Sequence, residues 1–318
     1  MKTAVTAYPE APPLAPPAGW ANLLARAADY VELTKPRVAV LVLFTVGSGV
    51  LLAGGLGVSL LVLVNTVLGT ALVAGGASAL NQLLERHSDR LMKRTRNRPL
   101  PAGRLRPRQV LAFGLLLGAG GVAYLALALR QPWAALIAAF TFASYVFVYT
   151  PLKRRTTLNT LVGAVPGALP PVIGWAAVRG PLDLNAAALF LIVFLWQVPH
   201  FLAIAWIYRD DYGRAGLRML PVSDSRGGLT SCCMVTYCLT LIAVSLLPAA
   251  LGAAGPLYLA GALALGLGFL ASTVAFMVTA AQRQARWVLR ASLVYLPVLL
   301  ALLLADGAAG PGSLAGWL

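Results

Sequence analysis

An all-α membrane protein is the fold class that the sequence predicts, on three observations. Of its 318 residues, 59% are hydrophobic and only 11% are charged, too little charge to cover a soluble domain of this size. Apolar runs of about 20 residues, long enough to cross a bilayer as helices, recur from Val38 to Leu304. Lys and Arg gather in alternate connections between those runs, as the positive-inside rule expects.

The elements follow in order. Residues 1–35 form an arm whose apolar content is broken by Pro9, Pro12, Pro13, Pro16 and Pro17. No compact signal-like segment forms there; the arm is expected to be disordered to about Trp20, then a short amphipathic lead-in to Lys35. Nine spans follow, roughly at 37–54, 58–84, 109–129, 131–150, 158–178, 184–208, 229–252, 256–279 and 288–305. They make one bundle domain over 36–308, with a C-terminal tail at 309–318. Pro36, Pro132 and Pro151 sit at expected helix ends, where a missing N–H costs least. Pro166, Pro170 and Pro171 fall inside the fifth span beside Gly163, Gly167 and Gly174, so that helix is expected to kink and to pack closely.

Charge sets the orientation. Of the 25 Lys and Arg, only Arg130 and Arg179 fall in the short alternate connections; the others lie in the arm and near 85–108, 151–157, 209–228 and 280–290. This places the N-terminus and all four basic connections in the cytoplasm. The net charge of +15 is therefore topological, and nucleic acid is not an expected partner. Cys232, Cys233 and Cys238 share one apolar stretch with no His nearby; they read as small hydrophobes in a helix rather than as a disulfide or zinc framework.

The candidate chemistry sits at two helix ends. Asn81, Glu85 and Asp89 are spaced by four, so they line one helical face about 6 Å apart. Hard oxygen ligands in that pattern suit Mg²⁺ completed by substrate phosphates. Arg90, Lys93, Arg94, Arg96, Arg98, Arg104, Arg106 and Arg108 follow at once. Arginines bind phosphate oxygens bidentately, although a basic connection is also what topology alone requires. Lys153-Arg154-Arg155 and then Asn159 open the fifth span, as phosphate ligands or as a topogenic cluster. At the end of the sixth span, Asp210 and Asp211 are adjacent and cannot share a helical face; one can bind metal while the other caps or pairs with an arginine. Gln197 and His200 lie inside that span. They suit either an interhelical hydrogen bond or contact with, or axial ligation of, a flat aromatic substrate.

These stretches resemble a known family. Asn81-x-x-x-Glu85-x-x-x-Asp89, followed by Met92, Arg94-Thr95 and Arg98-Pro99-Leu100-Pro101, is similar to the first signature of the UbiA-type intramembrane prenyltransferases. Tyr149-Thr-Pro-Leu-Lys153-Arg154-Arg155-Thr156, Trp196-Gln-Val-Pro-His200-Phe201 and Tyr208-Arg-Asp-Asp-Tyr212, running on to Ala215-Gly216 and Met219-Leu-Pro-Val222, are similar to its protohaem IX farnesyltransferase branch. The likeness spans about 80–222. It departs in carrying Glu85 where Asp is common, His87 where a further acid is expected, and Asp210-Asp211 without the wider superfamily's Asp-x-x-x-Asp spacing.

The resemblance implies a nine-helix UbiA-type bundle in the cell (inner) membrane. It implies transfer of farnesyl from farnesyl diphosphate to a vinyl group of haem B, with addition of water, giving haem O for terminal oxidase assembly with haem A synthase as a downstream partner. Mg²⁺ would be held by Asn81, Glu85, Asp89 and Asp211, with Asp210 beside them in the catalytic set. Arg94, Arg98, Lys153, Arg154 and Asn159 would bind the diphosphate, and Gln197 and His200 the haem. The alternatives are a related prenyltransferase acting on an aromatic acid or quinone precursor, and a transporter. A transporter would be expected to hold its ionisable groups near the bilayer midplane.

Overall fold

A computed structural model describes residues 19–55 and 57–309. The expected disorder of the arm falls almost wholly outside them, as does the tail beyond Ala309. The described residues form an all-helical bundle. An entry helix, α1 (Gly19–Leu33), leads into nine helices long and apolar enough to cross a membrane: α2 (Pro36–Gly54), α3 (Leu60–Leu91), α4 (Pro107–Ala128), α5 (Pro132–Leu152), α6 (Asn159–Arg179), α7 (Leu184–Ile207), α8 (Gly228–Ala250), α9 (Pro256–Thr279) and α10 (Gln282–Gly307).

Three boundaries differ from the sequence expectation, each for a local reason. α3 runs on past residue 84 to Leu91, because nothing from Gln82 to Leu91 breaks a helix and Gln82, Glu85, Ser88 and Asp89 face inward (below). α5 continues through Pro151, after a π-helical turn at Ser144–Tyr149. α10 starts at Gln282, since Arg283, Arg286 and Arg290 extend a helix beyond the apolar segment without disturbing it. The expected kink of α6 is present: its helix breaks at Leu169, ahead of Pro170 and Pro171.

α6 and α7 are the central helices, with 67% and 61% of their apolar windows buried, against 22–28% for α4, α5, α8 and α9, which present apolar faces outward. α2 and α6 meet backbone to backbone: a Cβ on Gly49 would collide with the Pro171 carbonyl, and one on Gly174 with the Val46 carbonyl. Gly76 brings α3 and α4 together in the same way, since a Cβ there would collide with the Gly118 amide and the Gly114 carbonyl, the small-residue packing of membrane helices. α7 is pinned to α10 by Trp196, whose Nε1 donates to the Ser292 carbonyl at 2.7 Å.

The basic connections are tied to one another. Arg104 pairs with Asp29 and Glu32 of α1, at 2.7 and 3.1 Å. The Arg218 amide donates to the Lys153 carbonyl at 2.8 Å. Gln82 Nε2 donates to the Leu33 carbonyl at 3.0 Å, fixing the end of α1 against α3.

Candidate active site

Asn81, Glu85 and Asp89 face inward from α3 and are 1%, 8% and 0% exposed. Buried carboxylates require partners, and each member of this row meets a cation from a different segment. Asn81 Oδ1 accepts from Lys35 Nζ at 3.1 Å. Glu85 Oε1 lies 2.7 Å from Lys153 Nζ. Asp89 Oδ2 accepts from Arg98 Nη1 at 2.8 Å. Asn81 is oriented from behind: its Nδ2 donates to Thr150 Oγ1 at 3.2 Å, and that hydroxyl donates to the Tyr145 carbonyl at 2.9 Å. Its carbonyl oxygen is thereby turned to the cavity. Asp89 Oδ1 is buried with no hydrogen-bond partner.

This row lines a cavity of about 760 Å³ together with Lys35, Arg37, Arg94, Arg98 and Lys153. Cations outnumber the lining acids Glu32, Glu85 and Asp89, so the chamber is built for an anion. Lys35 registers that excess: burial first, then repulsion by Arg98 and Lys153, lowers its pKa to about 7. Lys153 behaves oppositely. Burial opposes its charge most, but the Glu85 carboxylate together with Tyr149 and Tyr145 outweighs burial and holds it well above the usual lysine value.

A second, apolar cavity of about 310 Å³ lies deeper, among α2, α3, α5, α6, α7 and α10. Lys35, Val38, Tyr145, Tyr149 and Phe201 line both chambers, so the two are stacked. The π-helical turn supplies Tyr145 and Tyr149 to this seam, and Lys153 Nζ sits 4.6 Å from the Tyr149 ring centre. π-turns inside α-helices recur at functional sites.

The structure gathers Asn81, Glu85, Asp89, Arg94, Arg98 and Lys153 at the larger chamber, with Arg94 also lying over the Tyr208 ring at 5.1 Å. Other expected residues point elsewhere. Arg154 donates to Ser88 Oγ at 2.6 Å. Asn159 donates to the Thr156 and Arg218 carbonyls at 2.6 and 2.7 Å, joining two connections. The Asp210 side chain is 88% exposed beside Arg209, and Asp211 pairs with Arg214; of that segment it is Tyr212 that lines the chamber. Gln197 and His200 line the apolar cavity. Gln197 Nε2 donates to the Val193 and Ala164 carbonyls at 3.0 and 3.3 Å, and His200 Nδ1 lies 2.8 Å from Ser292 Oγ.

Sequence reasoning missed Lys35, which it took as the end of the arm, and did not single out Tyr145 as a site residue. The signal for Lys35 was a lone lysine directly before Pro36 at the start of an apolar span. For Tyr145 there was none, since a π-turn leaves no mark in composition.

The donor set fits a divalent metal bound through its substrate. It comprises two carboxylates and one amide oxygen, with Asp89 Oδ1 unpartnered, and Mg²⁺ is ordinarily held by one or two carboxylates plus phosphate oxygens. Among the described residues no three His, Cys, Asp or Glu gather into an all-protein metal cage.

Comparison with known proteins converges on one family. The profile of the UbiA prenyltransferase family matches residues 41–295. The protoheme IX farnesyltransferase of Solibacter usitatus is 49% identical over 289 residues, covering 87% of this chain and 98% of that protein. The protoheme IX farnesyltransferase of Salinibacter ruber is 45% identical over 278 residues, again covering 87% and 98%. Among solved structures, the apo form of a UbiA homolog from Aeropyrum pernix superposes with a TM-score of 0.68 at 17% identity, covering 89% of this chain and 98% of that one. A UbiA homolog from Archaeoglobus fulgidus, bound to DMAPP and Mg²⁺, gives 0.61 at 16% identity, covering 89% and 100%. With the family profile matched across most of its length, this chain belongs to the UbiA prenyltransferases.

Proposed function

We propose that this enzyme transfers the farnesyl group of farnesyl diphosphate to a vinyl group of haem B, with addition of water, to give haem O. The observation that carries the reading is the stacking of a cation-rich chamber, with an unpartnered Asp89 oxygen, directly over a mainly apolar cavity. That is the form of an amphiphile with a diphosphate head and a hydrocarbon tail. The identities of 49% and 45% to protoheme IX farnesyltransferases supply the acceptor.

Lys35, Arg94, Arg98 and Lys153 bind the diphosphate oxygens. Asn81, Glu85 and Asp89 would hold a divalent ion, Mg²⁺ by their chemistry, and such an ion when bound would add positive charge at the leaving group. As the C1–O bond breaks, its electron pair leaves with the diphosphate. The four cations gain most at that point, a stabilisation larger in the transition state than in the ground state. The allylic cation lies at the seam, beside the faces of Tyr145 and Tyr149, where apolar walls exclude water. The vinyl π electrons form the new C–C bond, and water captures the cation left on the acceptor and loses a proton. His200 itself lines the apolar cavity, near Phe201, which lines both chambers, so it meets the acceptor close to the seam. Gln197, a turn deeper, faces the prenyl chain. Arg154, Asn159, Asp210 and Asp211 act on the surrounding connections rather than on the phosphate.

The enzyme works in the cell membrane with its N-terminus and basic connections in the cytoplasm; a reporter inserted near Arg104 is expected to read as inside. Its product passes to haem A synthase and oxidase assembly. The test is mass spectrometry of membranes carrying the protein, incubated with haem B, farnesyl diphosphate and Mg²⁺. Haem O forms only with all three. Turnover of an aromatic acid or quinone precursor without haem would replace this acceptor.

A further inference from the structure

α10 enters the bundle with three arginines on one face. Arg283, Arg286 and Arg290 follow one another at intervals of three and four residues, the spacing of a single helical face. With Trp287 they are exposed, whereas Ala285, Val288 and Ser292 on the opposite side are buried. Below Arg290 the same outward face continues as Leu293, Val294 and Val298, all exposed. Among the described residues no carboxylate pairs with any of the three arginines. The face therefore has the order of an amphiphile, with cations at one end, an indole at their level and an apolar surface beneath.

Topology explains a basic helix end but not this placement. Gln282 Nε2 donates to the Ile207 carbonyl at 3.3 Å, which sets the start of α10 level with the end of α7. Arg290 is eight residues further on, about 12 Å along the axis, inside the apolar span. A guanidinium that faces lipid there is costly without a counter-ion. Its carbon lies 5.3 Å from the Trp287 ring centre, so the side chain turns back toward Arg286 and the basic end of the bundle. We propose that this face of α10 binds the headgroup of an anionic phospholipid. Arg286 and Arg290 hold the phosphate, which guanidinium forks match bidentately. Arg283 adds charge above them, Trp287 sits at the interfacial level, and the acyl chains run down Leu293, Val294 and Val298. An acidic protein surface would satisfy the arginines equally, but not the apolar face that continues directly below them.

The test needs neither substrate. Purified full-length protein in a neutral detergent is titrated with phosphatidylglycerol and, separately, with phosphatidylcholine of the same acyl chains. Bound lipid is counted by native mass spectrometry, and thermal unfolding is followed in parallel. Wild type is expected to hold phosphatidylglycerol at least about thirtyfold more tightly, on about fivefold for each basic residue near the surface, and to unfold at a higher temperature with it. The double variant Arg286→Gln, Arg290→Gln is expected to bring that preference to within about fivefold. Arg106→Gln, Arg108→Gln removes the same charge from the connection before α4 and is expected to keep the wild-type preference. If the α10 variant does not fold, wild type in 0.5 M NaCl makes the test by screening, and the preference is expected to fall at least about fivefold. Equal binding of the two lipids by wild type, a preference that salt leaves unchanged, or the same loss in both double variants overturns the site. The arginines would then serve topology or an acidic protein partner.

Discussion

The helix ends of α3 and α7 carry similar acids, and only one of them is built into a site. Glu85 and Asp89 are four residues apart, share a face and are buried; Asp210 and Asp211 are adjacent, about 100° apart around a helix axis, and the Asp210 side chain is 88% exposed. The difference extends to their cations. Glu85 and Asp89 are matched by Lys153, just past the end of α5, and Arg98 from the connection after α3, and Lys35 arrives through Asn81. The Asp210 and Asp211 partners, Arg209 and Arg214, are sequence neighbours. A pair closed within one short helix stabilises that helix and little else. A pair closed across three segments fixes a chamber.

The largest test of that contrast is catalytic. Glu85→Ala and Asp89→Ala are each expected to lower haem O formation by about 10²–10³-fold or more, the scale of removing one electrostatic contact to the developing charge. Asp210→Ala is expected to stay within about twofold, because an exposed carboxylate beside Arg209 is well solvated. Comparable losses at both ends would break the distinction.

A thermodynamic test comes next. The side chains of Lys153 and Glu85 are 14% and 10% exposed, so Lys153→Met strands a buried carboxylate, at a cost of about 3–5 kcal/mol. Arg214→Met opens a surface pair and costs less than about 1 kcal/mol. The double variant Glu85→Gln, Lys153→Met is expected to recover most of the lost stability and none of the activity. Unfolding in detergent checks both, and a double variant as unstable as Lys153→Met would show that the pair is not what the single substitution broke.

The effect of pH separates the two ends further. Lys35 has its pKa lowered to about 7, below the 10.5 of an unfolded lysine. Between those values the unfolded chain holds a proton that the folded chain does not, so this group makes stability rise with pH. Below about pH 7 both states are protonated and the contribution is absent. An anion in the chamber favours the charged form, so diphosphate binding takes up a proton and weakens as pH rises through 7. In Lys35→Gln both slopes should flatten; a binding profile that keeps its slope in that variant would assign the proton elsewhere.

The sequence told these regions apart only in part. Periodicity of four exposed the Asn81–Asp89 row, because helical spacing is a local property, and length with apolarity exposed the spans. Which cations close on which acids was not legible. Lys153 meets Glu85 only after α3 to α5 have folded back, and three adjacent basic residues at 153–155 look alike until one is buried and its neighbours are not. It is the resemblance that makes Asn159 a phosphate ligand; the residues alone leave it open between that role and a topogenic cluster. Its actual partners are two backbone carbonyls that only the tertiary fold brings together. The Tyr145 position was hidden for the same reason, since a π-turn is set by packing.

The smallest expected effect falls on Asp211, and it is the most discriminating because Asp211 sits between the two behaviours. Its side chain is 12% exposed, far less than that of Asp210, and it pairs with Arg214 in the short helix Arg209–Arg214. The next residue, Tyr212, lines the diphosphate chamber. If Asp211 only holds that helix, Asp211→Asn keeps the shape of the side chain and lets it accept from Arg214 still. Activity should then fall by less than about tenfold, since a hydrogen bond of about 1 kcal/mol is weakened rather than lost, and the Mg²⁺ dependence should be unchanged. If instead the carboxylate reaches the metal when substrate is bound, the same variant needs a higher Mg²⁺ concentration for half-maximal rate, and added metal restores turnover. A Mg²⁺ titration of Asp211→Asn beside Asp89→Asn makes the comparison internal. A shifted midpoint in both would make the α7 end part of the metal site.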